Sequence, residues 1–154
     1  MSETQGRVTV ATAVLNSAES KTLFGVDLAA NDIQPVWIRI ENREAVPYWY
    51  APRFTDPMYF SPAEVAFKSR LWFGGEANQQ VAEAMRDREL YTYVPPGATV
   101  SGFVHTRLDP GSKIVSVVLL SDREPRTFDF LIEGTDLDRD LLTVDFESAT
   151  LASS

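Results

Sequence analysis

The chain has no cysteine and a single histidine, which removes several common kinds of chemistry. Without cysteine there is no disulfide, no thiolate nucleophile and no zinc site with cysteine ligands. Basic residues are also scarce, because 14 Lys and Arg stand against 22 Asp and Glu and give a net charge of −8. Phosphate binding needs a basic surface, so this charge argues against nucleic acid as a partner and against docking on an anionic membrane. No apolar run approaches the roughly 18 residues of a membrane helix, so we expect no insertion into a membrane.

The 154 residues suit one domain with a substantial core. Residues 1–6 are polar and are predicted to form a flexible tail that carries no signal-peptide pattern. Residues 7–148 are predicted to form the domain, and residues 149–154 a second flexible tail.

Alternating hydrophobic residues predict β-strands. Val36, Ile38 and Ile40 alternate with other side chains at the period of two that is typical of a half-buried strand. Residues 114–120 are apolar on both parities apart from Ser116, which predicts a central strand covered on both faces. Similar patterns predict strands around residues 8–14, 46–50, 98–107, 127–132 and 142–146. About seven strands predict a mainly β protein, an antiparallel immunoglobulin-like β-sandwich, with an open barrel as the alternative.

Helix signals occur in two places. Asn16 and Ser17 are suited to cap a short helix that ends at Gly25. Ser61-Pro62-Ala63-Glu64 has the form of a capping box with proline at the first helical position, and a polar helical stretch follows at about 77–88. We therefore predict a helical insertion near residues 61–88 within the β-fold.

Aromatic residues are concentrated between Trp37 and Phe73, a stretch that holds all three tryptophans. One interpretation is a platform for a lipid or glycan, since flat rings offer stacking area. Its candidate ligand-binding residues are Tyr48, Trp49, Tyr50 and Tyr59. The favoured interpretation is a second small core, in which the helix over residues 62–73 covers and contacts Trp37.

Catalytic groups are few. His105 lies in the predicted strand over 98–107, on the parity of Phe103, and no G-x-S-x-G elbow accompanies it. A general base needs a placed partner, so a packing or surface role is favoured for this histidine. A hydrolase that uses two carboxylates stays open as a minor alternative, although no acidic pair stands out.

An acidic run near the C-terminus partly resembles a calcium loop. Asp136, Asp138 and Asp140 alternate, and Glu147 stands at the twelfth position. The sixth position is Leu141 instead of glycine, so a solvated acidic turn is favoured. We predict no metal site, no cofactor and no enzymatic activity.

Six passages taken together resemble a bacterial family. They are Leu23-Phe-Gly-Val-Asp-Leu, Ile33-Gln-Pro-Val-Trp-Ile-Arg-Ile-Glu-Asn42, Tyr59-Phe-Ser-Pro-Ala-Glu-Val-Ala66, Pro95-Pro-Gly-Ala-Thr-Val-Ser-Gly-Phe-Val104, Leu108-Asp-Pro-Gly-Ser-Lys113 and Val144-Asp-Phe-Glu147. From about residue 7 to 148 the chain resembles the region that precedes the LssY-type C-terminal domain in exported, lipoprotein-like proteins. The resemblance implies a periplasmic or cell-envelope location and supplies no catalytic residues. The chain shows neither a leader nor the downstream domain, so it is either a piece of a longer protein or a stand-alone copy, and a cytoplasmic location stays open.

Two functions follow as hypotheses. The first is a non-enzymatic accessory module at the cell envelope that contacts a protein partner or a neighbouring domain. The alternative is a small-molecule domain that binds lipid or glycan through the aromatic stretch 48–73. A pocket lined by Trp49, Tyr50 and Tyr59 would favour the alternative, and burial of these residues in a dry core would weaken it.

Overall fold

The structure, a computed structural model, describes residues 1–69, 83–109 and 111–132. Eight strands within these ranges form two antiparallel sheets: β1 (Ser2–Gln5), β2 (Val8–Val14), β3 (Ile33–Asn42), β4 (Tyr48–Tyr50), β5 (Tyr93–Val94), β6 (Thr99–Arg107), β7 (Lys113–Leu120) and β8 (Arg126–Ile132). The helices are α1 (Ser17–Phe24), α2 (Pro52–Thr55), α3 (Pro62–Ser69) and α4 (83–87), with a 3-10 turn at Ala29–Asn31. The prediction of a mainly β protein is confirmed.

The two sheets pack against each other through one hydrophobic core. The first sheet has the strand order β1-β2-β3-β6 and the second has the order β5-β4-β7-β8. Val36, Ile38 and Ile40 of β3 point into the core, as their alternation predicted, and Phe128 and Phe130 enter it from β8. The molecule is therefore a β-sandwich, and the finer immunoglobulin-like topology stays a prediction.

A second hydrophobic cluster covers the outer face of the first sheet. Trp37 of β3 and Phe103 of β6 are paired across the ladder and face away from the sandwich core. Phe24 of α1, Val65 of α3 and Met85 of α4 join them in this cluster. Trp37 is 7% exposed, which confirms that it is buried in a second small core. The cover comes from three helices instead of from the helix at residue 62 alone.

Capping hydrogen bonds stabilise the ends of the short helices, as helix α1 shows. The Asn16 side chain accepts a hydrogen bond from the Glu19 amide, and the Glu19 carboxylate accepts one from the Asn16 amide. Gly25 ends the helix with φ +76°, a conformation that favours glycine. The predicted caps at Asn16 and Gly25 are confirmed, and Ser61 and Glu64 form the same reciprocal pair at the start of α3.

The flexible tail predicted for residues 1–6 is wrong for Ser2–Gln5. These residues form β1, an edge strand that pairs in register with β2. Their side chains are polar and mostly exposed, so the sequence carries no hydrophobic signal. The strand is stabilised by backbone pairing and by the Gln5 amide, whose Nε2 donates to the Thr127 carbonyl oxygen at 2.7 Å.

Strand β7 is central in its sheet, as predicted, but it is not covered on both faces. Ile114 is 68% exposed, and its ladder partner Leu131 is also exposed. The outward parity of this strand therefore carries apolar residues of unequal exposure, since Ile114 meets solvent and Val118 is buried. The predicted strand at 142–146 and the acidic turn before it lie outside the described residues, as does the insertion between residues 70 and 82.

The free edge of β6 is occupied by two other chain segments. The Phe60 amide donates to the His105 carbonyl at 2.8 Å, and the Leu90 amide donates to the Phe103 carbonyl at 3.2 Å. A Cβ atom at Gly102 would lie 2.6 Å from the Leu90 nitrogen, so only glycine allows this close approach. As a result, the segments around residues 60 and 90 meet beside His105.

Candidate functional site

Alternation along β4 separates the predicted ligand-binding residues. Tyr48 and Tyr50 are each 3% exposed and point into the sandwich core, whereas Trp49 is 46% exposed on the opposite face. Successive side chains of a strand point to opposite faces of the sheet, so these neighbours cannot share one surface. The four predicted residues therefore do not form one site, and their role in ligand binding stays a prediction.

The two buried tyrosines have hydrogen-bonded hydroxyl groups. The Tyr48 hydroxyl donates to Oε1 of Glu44 at 2.6 Å. The Tyr50 hydroxyl shares a hydrogen bond of 2.6 Å with Oγ1 of Thr55, which in turn donates to the Ser116 carbonyl. Burial raises the pKa of both phenols above the usual value. Both hydroxyl groups are therefore part of the structure of the core.

Trp49 lies in a row of three side chains that runs across the outer face of the second sheet. Its ladder partners are Tyr93 of β5 on one side and Leu120 of β7 on the other. The Trp49 and Tyr93 ring centroids are 5.5 Å apart with an angle of 44° between the rings. The outward-facing residues of this sheet form what we call the Trp49 face: Trp49, Tyr93, Ile114, Ser116, Val118, Leu120, Thr127, Asp129 and Leu131.

The Trp49 face is mostly apolar and carries one negative charge. Asp129 supplies that charge, and its Oδ1 accepts a hydrogen bond from the Ser116 hydroxyl at 2.6 Å. None of the residues that define the face is Lys or Arg. Aromatic residues and exposed apolar patches are typical of surfaces that bind other molecules.

A second feature, which we call the His105 cleft, has a volume of about 90 Å³ and lies beside the occupied edge of β6. It lies where the two hydrophobic clusters meet, because Tyr50 and Val104 belong to the sandwich core while Phe103 and Phe60 belong to the second cluster. The described residues that line it are Tyr50, Pro52, Tyr59, Phe60, Pro62, Glu89, Leu90, Thr92, Phe103, Val104 and His105.

His105 is 2% exposed, and neither ring nitrogen has a hydrogen-bond partner. The Phe24 ring stands nearly edge-on to the imidazole, with ring centroids 5.2 Å apart and an angle of 71°. Burial lowers the pKa of His105 to about 4, so the ring is neutral at pH 7. A histidine with no placed partner is not set up as a general base, and His105 packs as an uncharged ring.

Glu89 is the charged residue among the described residues of the cleft. The residue as a whole is exposed, and partial burial of its carboxyl group raises the pKa of that group. No Lys or Arg is present among the same lining residues. The cleft therefore combines aromatic walls with one acidic group.

Within residues 1–69, 83–109 and 111–132, no group of three or more His, Asp or Glu side chains is arranged to hold a metal ion. No helix in the described part of the chain combines the length and apolar character that a membrane crossing requires. Asp136, Asp138, Asp140 and Glu147 lie outside it.

Comparison with known proteins gives no significant match to a protein-family model, a curated protein or a solved structure. The resemblance to the region before an LssY-type domain therefore stays a prediction.

Sequence reasoning missed the partners that complete both features. Tyr93 and Leu120 flank Trp49 only because strands far apart in sequence pair with β4. Glu89 lies beside the His105 cleft because of a backbone bridge to Phe103, which has no sequence signature. The one available signal was the alternation in β4, which already separates Trp49 from the two tyrosines beside it.

Proposed function

We propose that this domain is a non-enzymatic interaction module that binds a protein partner, or a neighbouring domain, through the Trp49 face. The observation that supports it is the row formed by exposed Tyr93 and Trp49 and half-buried Leu120, on a sheet face whose counterpart in the first sheet is covered by helices. Large rings near the centre of an apolar patch are the usual anchors of protein interfaces. The resemblance to lipoprotein-like proteins supports a location at the bacterial cell envelope.

The charge of the face indicates what kind of partner it fits. Asp129 is negative, and the whole chain carries a net charge of −8. A second copy would bring like charges together, whereas a basic group on another protein would complement Asp129. We therefore infer a partner surface that presents aliphatic or aromatic side chains next to a lysine or arginine.

Selection from a random-peptide phage library with the purified domain tests this proposal. We expect enriched peptides to combine an aromatic or large aliphatic residue with Lys or Arg. Trp49→Ala should weaken their binding at least tenfold, because it removes the largest ring of the patch. Asp129→Asn should weaken it less and should reduce its dependence on salt.

Phe54→Ala is the matched control, since Phe54 is an aromatic side chain, 61% exposed, outside the strands of the second sheet. This variant should bind the selected peptides as the unmodified domain does. Failure to enrich any peptide, or equal binding by the Trp49→Ala domain, would contradict the proposal.

Glycan binding at the same face is the second candidate, favoured by the tilted pair of exposed rings at Trp49 and Tyr93. Sugar rings offer apolar faces that stack on such side chains. A lipid fits less well, because the cavities described, of about 90 and 170 Å³, are both below the roughly 300 Å³ of a typical ligand pocket. Titration with soluble oligosaccharides should change the tryptophan fluorescence of the unmodified domain but not of Trp49→Ala if this candidate is right.

A further inference from the structure

We propose that the His105 cleft is a binding site for a small organic cation, an ammonium group carried on a short apolar body. This inference goes beyond the proposed function, because the cleft and the Trp49 face are separate surfaces. Tyr50, which lines the cleft, points to the opposite side of β4 from Trp49.

Four of the described lining residues of the cleft have aromatic side chains. Tyr50, Tyr59, Phe60 and Phe103 all line the cleft. Aromatic rings attract ammonium groups through the negative potential of their faces, and the attraction grows when the cation is removed from water. A neutral apolar ligand would gain only contact area from the same walls.

The charges around the cleft favour a cation over an anion. Glu89 is the acidic group, and no basic side chain is present among the described lining residues. His105 stays uncharged in its buried position and therefore does not repel a cation. Its ring nitrogens are shielded from solvent, so the histidine contributes a neutral wall and makes no direct hydrogen bond to the ligand.

The size of the cleft limits the ligand. The cleft volume of about 90 Å³ is small beside the roughly 300 Å³ or more of a typical pocket for a drug-sized ligand. Tyr59 and Phe60 are half-buried at its rim, and Glu89 is exposed. An ammonium head group fits such a space, whereas a sugar ring or an acyl chain does not.

Tetramethylammonium chloride is the probe for this proposal, with sodium chloride at equal ionic strength as the reference. In two-dimensional amide NMR spectra we expect saturable shifts at residues 89–92 and 103–105. Tert-butanol, a neutral molecule of similar shape, should not produce them. Equal shifts with tert-butanol would overturn the proposal, because the cleft would then recognise only apolar shape.

Two variants test the role of the carboxylate. Glu89→Gln keeps the shape of the side chain and should weaken tetramethylammonium binding at least tenfold. Asp87→Asn removes an exposed acid two residues away, outside the lining, and should leave the affinity unchanged. Unchanged affinity in Glu89→Gln, or equal losses in both variants, would show that the general negative charge of the domain and not the cleft attracts the probe. Peptide binding at the Trp49 face should not change in Glu89→Gln, which separates this outcome from the proposed function.

Discussion

His105 illustrates how one buried side chain links stability to acidity. Its ring lies nearly edge-on to Phe24 and makes no hydrogen bond. Protonation would place a charge in this apolar surrounding, where nothing compensates for the water that the charge loses. The folded domain is therefore stable with the neutral ring and is destabilised when the ring is charged.

The stability of the domain should fall as the pH is lowered from about 6.5 to about 4. Burial lowers the pKa of His105 from its ordinary 6.5 to about 4, so the unfolded chain binds a proton more readily between these values. The part of the unfolding free energy that comes from the neutral ring is fully present above pH 6.5 and is lost at pH 4. This loss amounts to about 3 kcal/mol. Urea unfolding at several pH values measures this loss.

His105→Leu is the control for that series, because leucine fills the site and cannot be protonated. The difference between the two pH profiles isolates the histidine from the carboxyl groups, which titrate in both proteins. Parallel profiles for both proteins would contradict the prediction.

At the residue scale, the sequence predicted which face of β6 carries His105, but it did not predict which residues contact the ring. The alternation in β6 correctly placed it on the side of Phe103. The cover comes from Phe24, a residue distant in sequence whose contact depends on how α1 folds back over β3 and β6. Contacts of this kind depend on tertiary packing, for which local periodicity gives no signal.

At the scale of elements, a charged cluster links the two sheets at one end of the sandwich. Arg126 at the start of β8 donates through Nη1 to Oε2 of Glu44 at 2.5 Å and to the Gln5 carbonyl at 2.9 Å. Burial alone would raise the pKa of Glu44, but hydrogen bonds from Tyr48, Arg126 and the Arg7 amide together lower it. The cluster therefore holds β1, β8 and the turn after β3 together.

A double-mutant cycle with Glu44→Gln and Arg126→Met should give a coupling free energy of about 1 kcal/mol or more. Both side chains are partly buried, at 17% and 29% exposure, so water screens their attraction only in part. Chemical unfolding of the two single variants and the double variant measures the coupling.

Glu41 and Arg43 provide the matched pair for comparison. They also form an ion pair, but the Arg43 side chain is 71% exposed. Exposed pairs contribute little, so the same cycle should give less than about 0.5 kcal/mol. Equal couplings for the two pairs would show that burial does not strengthen the cluster at Glu44.

Elements with strong periodic or capping signals were predictable, and short strands with few buried residues were not. The reciprocal cap at Asn16 and Glu19 and the alternation in β3 each follow from local residue types. Strands β1 and β5 contain few or no buried residues and exist because a neighbouring strand offers backbone partners. A sequence pattern indicates side-chain burial. Strands that are held only by backbone hydrogen bonds therefore cannot be predicted from it.

At the scale of the whole molecule, the two sheets differ in what lies on their outer faces. Helices α1, α3 and α4 cover the first sheet around Trp37. The Trp49 face of the second sheet keeps exposed side chains at Trp49, Tyr93, Ile114 and Leu131. The sequence predicted the sandwich and the helical cover, but it could not show which apolar face stays open, because Ile114 looks the same buried or exposed.

Two tryptophan variants should report this difference directly. Trp37→Ala should cost about 3–5 kcal/mol of unfolding free energy, since a large buried ring leaves a cavity. Trp49→Ala should change stability by no more than about 1 kcal/mol, because half of that ring is already in water. Urea denaturation followed by circular dichroism compares them, and similar losses would mean that the Trp49 face is covered in solution.

The occupied edge of β6 has a consequence for how the protein behaves at high concentration. Open sheet edges are templates on which another chain can add a strand, and natural β-proteins need ways to block such growth. Here Phe60, Arg88 and Leu90 use the backbone groups around Phe103 and His105 themselves, at a distance that Gly102 makes possible. The first sheet cannot be extended on this side without first displacing part of its own chain, so the same contacts that form the cleft also protect the domain against edge-to-edge aggregation.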